Sequence, residues 1–450
     1  MTGAERAAQR VYDALLTRVG EAHPRPRIEP VRRLAELAGT PQLSYPVIQI
    51  AGTNGKTSTS RAIDALLRAH GLRTGLFSSP HLVSFTERFQ IDGEPVGGNA
   101  LADAWEELQL PLQVVDAELA VDGQGPITFF EALAVLAFAL FADAPIDVAV
   151  VEVGMGGEWD ATNIADAEVA VFAPIDLDHT SVLGADVATI ARTKAGIVKP
   201  ASTVVTAAQA PEALAELIEA AENADARLYV FGRDFALLDD RLAVGGRQIA
   251  VRGFHGHEYD PAFVPLFGHH QAENVALAIA AVEAFLGAER PIPEEVVEEA
   301  LGGLTSPGRL QLIGSEPVVY VDAAHNPHGA EALARAVTES FNFSEVALVV
   351  GSLADKDTAG VFEELAPIAD LVYAVPVDSP RSLPVDDVVD LAEGAFLDVP
   401  VEPAESLTEA LEVAREWAVR DRRRAVLVVG SVLLAGEAIA LSRSEGWGVA

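Results

Sequence analysis

The stretch that decides the fold is Val47-Ile48-Gln49-Ile50-Ala51-Gly52-Thr53-Asn54-Gly55-Lys56-Thr57-Ser58. Its first five residues form a mostly apolar run typical of a buried strand, and apolar residues recur at helical spacing from Ser58 to Ala69. Strand, glycine-rich turn and helix in this order predict a phosphate-binding loop, whose backbone N–H groups and helix N-terminus attract phosphate oxygens. Lys56 would reach the terminal phosphates, and Thr57 or Ser58 would offer a hydroxyl to Mg²⁺.

The spacing of this loop departs from the standard pattern. Only two residues separate Gly52 from Gly55, whereas the usual motif has four residues between its glycines. The alternative is a glycine-rich turn with an incidental lysine, but the strand, the Gly-Lys-Thr sequence and the helix together favour a phosphate site.

The chain outside this loop alternates between strand-like and helix-like segments. Apolar runs at 147–153, 169–174 and 203–207 predict buried strands, with helices at 130–141, 187–195 and 211–222. This alternation predicts an α/β fold with a doubly wound parallel sheet. Residues 228–267 consist of short, alternating, glycine-punctuated pieces that favour an antiparallel patch, and a helix is predicted for 271–286.

The strand–helix alternation restarts after Thr305-Ser306-Pro307-Gly308, with strands predicted at 318–321, 346–350, 371–375 and 425–429. We therefore predict two domains. Residues 1–307 form a larger parallel-sheet domain that carries the phosphate loop, and residues 308–450 form a smaller, Rossmann-like α/β domain.

Composition excludes several classes of protein. The 450 residues include no cysteine, which excludes disulfides, thiolate zinc sites and thiol nucleophiles. The formal net charge of -36 disfavours nucleic acid and anionic membranes as partners. No N-terminal signal is evident, and the longest apolar stretch, 132–142, is shorter than the ~20 residues that span a bilayer. We expect a cytoplasmic monomer that acts on small molecules.

Ionisable residues follow the predicted strands of the first domain. Glu152 and the pair Asp178-His179 lie at carboxyl ends of strands, where ligands of open α/β sheets bind. Both Glu152 and His179 are candidates for a metal beside the phosphate loop, although His is an unusual Mg²⁺ ligand. Each has a structural alternative, since Glu152 could cap a helix or pair with an arginine. Lys194 is one of only four lysines, and its structural alternative is a cation near a helix C-terminus, where the helix dipole favours positive charge.

The second domain carries a similar set. Asp322 and His325 directly follow the predicted strand 318–321, and Arg309 lies at the proposed hinge, where a guanidinium could hold a phosphate. Lys356 follows the next strand. The structural alternatives are turn-forming residues and a surface ion pair.

These motifs occur together and in order: GTNGKT at 52–57, SSPHL at 78–82, EVGMGG at 152–157, DATN at 160–163, DHT at 178–180, KAGI at 194–197, GHHQAEN at 268–274, PGR at 307–309, DAAHNP at 322–327, DKD at 355–357 and GS at 430–431. In this set the chain resembles the folylpolyglutamate synthase/dihydrofolate synthase family of the Mur-ligase superfamily. The family's loop has the same short spacing. Two departures are Glu158, where a basic residue is common, and Ala323, where glycine is common.

The resemblance implies an ATP-dependent ligase that joins L-glutamate to a folate or dihydropteroate carboxylate through an acyl phosphate. It implies that the ATP site comprises Gly52, Thr53, Asn54, Gly55, Lys56, Thr57, Ser58, Asn274, Arg309 and Asp322. It further implies Mg²⁺ at Ser79, Glu152 and His179 with Thr57 as a further candidate, and a carbamylated Lys194. Asp322 and His325 would line the reaction centre together with Lys56 and Lys194. Ser79, His81, Phe129, Phe130 and Asp160 would contact the substrate.

Two other functions compete with this interpretation. A Mur-type ligase acting on a UDP-muramyl substrate would use the same chemistry, but the segment 78–82 argues against it and no UDP-binding domain precedes Gly52 in this sequence. A non-catalytic P-loop nucleotide-binding module would leave Lys194, Arg309 and the Asp322/His325 pair without a role.

Overall fold

The protein is described by a computed structural model that covers residues 2–20, 25–287 and 290–448. The chain divides into two compact units. Unit 1 comprises Met1–Asp240, Gln248–Val264 and Ala272–Leu304, and unit 2 comprises Arg241–Arg247, Pro265–Gln271 and Thr305–Ala450. Arg241–Arg247 and Pro265–Gln271 belong to unit 2 although they precede residue 307 in sequence. The units therefore do not follow a single cut in the chain, and the domain boundary at residue 307 stays a prediction.

An eight-stranded sheet organises unit 1. Its strands are β1 Val47–Ala51, β2 Thr74–Phe77, β3 Phe89–Ile91, β4 Glu94–Pro95, β5 Val148–Glu152, β6 Val169–Phe172, β7 Thr203–Thr206 and β8 Arg227–Val230. They lie in the order β4-β3-β2-β5-β1-β6-β7-β8. The two pairs β4-β3 and β3-β2 are antiparallel, and all other neighbouring pairs are parallel.

Ten α-helices precede residue 305 in the described part of the chain. Their bounds are α1 Gly3–Leu16, α2 Glu29–Leu37, α3 Lys56–Ala69, α4 Gly98–Val121, α5 Phe129–Asp143, α6 Thr180–Leu183, α7 Val187–Ala195, α8 Pro211–Asn223, α9 His269–Phe285 and α10 Glu294–Gly302. A separate three-stranded sheet has the order β11-β10-β9, with β9 Ala236–Ala243, β10 Gly246–Arg252 and β11 Glu258–Val264.

The central position of β1 decides where the phosphate loop lies. All five residues of β1 are buried, as expected for a parallel strand covered on both faces. Ile50 is in register with Glu152 of β5, and Ala51 is in register with Phe172 of β6. The loop that follows Ala51 is therefore flanked by the carboxyl ends of two neighbouring strands, which is the usual ligand position in an open α/β sheet.

The sequence-based assignment of residues 228–267 to an antiparallel patch is wrong at its start. Residues Arg227–Val230 form β8, which pairs in parallel with β7 as the last strand of the main sheet. Burial explains the error: only Val230 of this edge strand is fully buried, so its sequence lacks the continuous apolar run of the inner strands.

Helix α5 brings the Phe129-Phe130 pair to a fixed place. Thr128 and Glu131 form a capping box at its N-terminus, and Glu131 also pairs with Arg27 at 2.8 Å. Eleven of its fifteen residues are buried, so this helix is apolar nearly all round because it lies in the core of unit 1. Across the described residues, no helix is both long and apolar enough to cross a membrane.

Unit 2 contains a six-stranded sheet in the order β12-β13-β17-β14-β15-β16, which is parallel except for β12. Its helices pack around a core that includes the fully buried rings of Phe362 and Phe396. The α/β fold class predicted for both parts of the chain is thus confirmed. The bounds are β12 Gln311–Ser315, β13 Val318–Val321, α11 Pro327–Ser340, β14 Glu345–Val350, α12 Thr358–Leu365, β15 Leu371–Ala374, α13 Val385–Ala395, β16 Val401–Pro403, α14 Leu407–Ala418, β17 Arg424–Val429 and α15 Val432–Glu445.

Candidate active site

The turn between β1 and α3 requires glycine at two positions. Gly52 has φ +150° and a Cβ there would lie 2.8 Å from the Cβ of Ala173. Gly55 caps α3 with φ +85°, and a Cβ there would lie 2.5 Å from Oδ1 of Asn274. Both glycines therefore permit close approaches that any side chain would block. The structure brings Asn274 directly against the loop, although Asn274 and Gly55 are 219 residues apart in the sequence.

Two lysine side chains meet at the carbonyl of Gly52. The Nζ of Lys56 donates to the carbonyl oxygens of Gly52 and Thr53, both at 3.1 Å, and the Nζ of Lys194 donates to the Gly52 oxygen at 2.8 Å. Lys194 is buried, with 5 % of its surface exposed. Its burial, together with the positive charge of Lys56, lowers the pKa of Lys194 to about 7.

Helix α7 is held in place by the loop that follows β5. A Cβ on Gly157 would lie 2.5 Å from the carbonyl oxygen of Lys194, and the N–H of Glu158 donates to the carbonyl of Thr193 at 2.8 Å. The amide of Asn163 adds a bond to the carbonyl of Gly196 at 3.0 Å. The glycine-rich loop thus fixes the last turn of α7, and this directs Lys194 inward instead of towards solvent.

Glu152 and Thr57 form a pair of oxygen donors at the end of β5. The Thr57 hydroxyl lies 3.0 Å from both carboxylate oxygens of Glu152, whose side chain is 1 % exposed. A buried carboxylate next to a hydroxyl is a hard oxygen donor set of the kind that Mg²⁺ accepts, with phosphate and water completing its octahedron. The two residues therefore fit a Mg²⁺ site. Among the described residues, no group of three or more His, Cys, Asp or Glu is arranged to hold a metal.

His179 follows β6 at the same edge of the sheet. It adopts a left-handed conformation with φ +50°, and its N–H donates to the carboxylate of Asp178 at 2.8 Å. The negative charges of Asp178 and Asp160 raise the pKa of Lys194 and so partly offset the lowering of that pKa by burial. Asp178 was not among the predicted site residues, although its position next to His179 was a signal.

The SSPHL segment leads into a cluster of aromatic rings and one arginine. Arg88 is 3 % exposed, donates through Nε to Nδ1 of His81 at 2.9 Å, and lies 5.5 Å from the ring centre of Phe129. Tyr12 stacks on Phe85 at 4.8 Å. Ser79 is half-buried within this segment, which directly follows β2. The sequence does not single out Arg88, because a buried arginine has no distinctive local pattern.

Phe130 and Asp160 both contact the loop after β5. The Phe130 ring covers Gly154, since a Cβ on that glycine would lie 2.3 Å from the ring. The Asp160 carboxylate accepts bonds from the N–H groups of Met155 and Thr162, each at 2.9 Å, and burial raises its pKa. Asp160 thus braces the loop, and its predicted contact with substrate stays a prediction.

Unit 2 brings Asp322 and Arg309 together. The Asp322 carboxylate follows β13 and accepts from the N–H groups of Leu310 at 2.7 Å and Ala324 at 2.8 Å. Burial raises its pKa, and the positive charge of Arg309 opposes that shift. His325 places Nδ1 2.9 Å from the carbonyl of Ala323. Because a carbonyl only accepts, this nitrogen carries the hydrogen.

Two family models match the chain. The model described as Mur ligase middle domain matches residues 50–282, and the model described as Mur ligase, glutamate ligase domain matches residues 308–432. The chain is 41% identical over 441 residues to the dihydrofolate synthase/folylpolyglutamate synthase of Mycobacterium tuberculosis, covering 92% of this chain and 90% of that protein. The chain belongs to the folylpolyglutamate synthase/dihydrofolate synthase family of Mur ligases.

Solved structures of this family have the same fold. The crystal structures of Mycobacterium tuberculosis folylpolyglutamate synthase complexed with ADP and AMPPCP align with a TM-score of 0.92 and 40% identity, over 97% of this chain and 98% of that one. E. coli FolC in complex with DHPP and ADP aligns with a TM-score of 0.84 and 28% identity, covering 98% of both chains. The predicted membership in the folylpolyglutamate synthase/dihydrofolate synthase family is confirmed, and with it the enzyme class, an ATP-dependent ligase.

Proposed function

We propose that this chain uses ATP to join L-glutamate to the carboxylate of a folate or of dihydropteroate. The observation that carries the proposal is the arrangement around Gly52, where Lys56 and Lys194 share one carbonyl acceptor within a loop flanked by Glu152. Relatives named dihydrofolate synthase/folylpolyglutamate synthase support a folate-type substrate, and relatives solved with ADP and AMPPCP support ATP.

ATP phosphates would lie on residues 52–58. The N–H groups of Gly55, Lys56 and Thr57 stand at the start of α3, where the helix dipole favours anions. Lys56 would exchange its bonds to loop carbonyls for bonds to the terminal phosphates. Asn274 is proposed to contact adenine, and Arg309 and Asp322 are proposed as further nucleotide-binding residues.

Mg²⁺ would be held by Glu152 and Thr57, with Ser79 and His179 as further ligands. When bound, it would neutralise charge on the β- and γ-phosphates. The protein's own contribution is the buried carboxylate of Glu152, which is fixed by the end of β5 and therefore needs little reorganisation.

The reaction follows from carboxylate chemistry. A carboxylate is a poor electrophile, so the substrate oxygen first attacks the γ-phosphorus of ATP, forming an acyl phosphate and releasing ADP. The glutamate amine then attacks the acyl carbon, loses a proton, and phosphate leaves. Lys56 would stabilise charge on the transferring phosphoryl group, and His325 would lie near the reacting groups.

Lys194 is proposed to carry a carbamate. Its amine nitrogen would attack CO₂, forming an N–C bond while one C=O electron pair moves to oxygen and the nitrogen loses its proton. This reaction needs a neutral amine, and a pKa of about 7 supplies one near neutral pH. The product replaces a cation beside Lys56 with an anion, which removes a repulsion and could support a second Mg²⁺.

Replacing Glu152 by Gln should raise the Mg²⁺ concentration needed for half-maximal ligation by at least about tenfold, because a neutral amide is a weaker ligand for a hard cation. The measurement is ADP release titrated with Mg²⁺ at saturating ATP. Glu168→Gln is the matched control, since Glu168 is exposed and precedes β6 at the opposite edge of the sheet. Equal Mg²⁺ requirements of Glu152→Gln and the wild type would contradict the proposed ligand.

Substrate class is tested by ADP release with dihydropteroate, tetrahydrofolate and a UDP-muramyl substrate in parallel, each with and without L-glutamate. We expect glutamate-dependent turnover with both pterin substrates and none with the UDP-muramyl compound. Turnover with the UDP-muramyl substrate alone would establish the alternative ligase. ATP binding without turnover in any mixture would instead support a non-catalytic nucleotide module.

A further inference from the structure

The first half of the phosphate loop rests on the backbone that follows β6. The N–H groups of Thr53 and Asn54 both donate to the carbonyl of Pro174, at 2.8 and 3.3 Å. The Thr53 hydroxyl lies 2.9 Å from the carbonyl and 3.0 Å from the N–H of Asp176. The position of Gly52–Asn54 is therefore set by residues 173–176.

Residues 173–176 are themselves irregular backbone, because β6 ends at Phe172. One side chain supplies the hydrogen bonds that strand pairing no longer gives. Gln209 accepts from the N–H of Ile175 at 2.9 Å and donates to the carbonyl of Ala173 at 3.1 Å. The two groups that it binds stand on either side of Pro174, whose carbonyl receives the loop.

Gln209 is in turn held by the end of the neighbouring strand. Its amide nitrogen also donates to the Thr206 hydroxyl at 3.1 Å, and that hydroxyl donates to the carbonyl of Ala207 at 3.1 Å. Hydrogen bonds thus join β7 to Gln209, join Gln209 to the two residues on either side of Pro174, and join Pro174 to the loop.

We propose that Gln209 is a positioning residue for the nucleotide phosphates: it fixes residues 173–176 and thereby the backbone of Gly52–Asn54. This inference rests on the proposed binding of ATP to the loop. Because Lys56 and Lys194 both donate to the Gly52 carbonyl, a shift of this backbone would also displace both ammonium groups. Small displacements of this kind are costly, since about 1 Å can reduce a rate by ~10²-fold.

Gln209→Leu replaces the amide with an apolar side chain of broadly similar size and removes all three bonds. We expect the KM for ATP to rise about tenfold, the cost of one or two lost hydrogen bonds, while the KM for folate changes less than about twofold. Hydrogen–deuterium exchange in the peptide spanning residues 47–60 should become faster, while peptides from α4 exchange as in the wild type. Thr206→Val should shift both readouts in the same direction, and Thr206→Ser, which keeps the hydroxyl, should restore them.

Gln109→Leu is the matched control, because within the described part of the chain the Gln109 amide bonds only to the carbonyl of Trp105 in its own helix, at 3.2 Å. Wild-type exchange in the loop of Gln209→Leu would overturn the inference, as would faster exchange throughout unit 1, which indicates general destabilisation. If Lys56→Ala impairs ligation and Gln209→Leu leaves the KM for ATP unchanged, this inference alone is wrong. If neither variant affects ATP, the proposed phosphate loop is wrong too, and the inference falls with it.

Discussion

Lys56→Ala should reduce ligation by at least about a hundredfold, because it removes the ammonium group that belongs to the proposed phosphate loop itself. The Lys56 ammonium donates to the carbonyls of Gly52 and Thr53 and packs against loop backbone, not in the hydrophobic core. Its loss should therefore leave the fold intact. The helix N-terminus keeps its N–H groups, so weak ATP binding should persist while turnover is lost.

The experiment compares ADP release, ATP affinity by calorimetry and far-UV circular dichroism for three proteins: the wild type, Lys56→Ala and Lys199→Ala. Lys199 is the control because its Nζ likewise donates to a backbone carbonyl, that of Asn163, at 3.0 Å. We expect Lys199→Ala to retain ligation within a few-fold. Ligation and ATP binding near wild-type levels in Lys56→Ala would show that this loop does not hold the phosphates.

The part of this site that the sequence predicts consists of residues that directly follow buried strands. The apolar runs of β1, β5 and β6 are nearly uninterrupted because these strands are buried on both faces, and each boundary was therefore visible to within two residues. Once a parallel sheet is assumed, residues that follow its strands must share one edge. Glu152 and the phosphate loop were predicted to be neighbours on this ground, and the register of Ile50 with Glu152 brings them together.

The sequence does not predict contacts that depend on loop conformation. Nothing local indicates that Lys194 bonds to Gly52, 142 residues away, because this depends on Gly157 packing against the end of α7. Gln209 gives no signal either, since its role arises from three bonds to backbone and hydroxyl groups that only the fold assembles. Edge strand β8 was assigned wrongly for a related reason: a half-exposed strand loses the apolar run that identifies its neighbours.

Lys194→Arg should abolish most ligation, and this separates the two interpretations of Lys194 sharply. If the residue only supplied positive charge near a helix C-terminus, arginine would serve equally well. A carbamate requires a primary amine that can lose a proton, and a guanidinium remains charged and cannot form it. Lys194 is 5 % exposed, so the larger arginine also meets a packed site. Lys194→Ala therefore serves as the variant that removes the amine without overpacking.

The decisive measurement is chemical rescue of Lys194→Ala. Short carboxylates such as acetate should restore part of its activity by placing an anion where the carbamate would lie, whereas chloride at equal ionic strength should not. In the wild type, depletion of CO₂ should lower activity and bicarbonate should restore it. At fixed dissolved CO₂, the rate of recovery should rise as pH increases through about 7, because the pKa of Lys194 is about 7 and only the neutral amine reacts.

A ¹³C-bicarbonate label gives the direct observation, since a carbamate carbon bound to Lys194 should appear in the wild type and be missing from Lys194→Arg. Recovery that begins only near the ordinary lysine pKa of about 10.4 would mean that burial does not prepare this amine for CO₂. A fully active Lys194→Arg would leave the lysine with a structural role alone. The buried amine would then serve only as the donor that ties α7 to the Gly52 carbonyl, a bond that a guanidinium could also make.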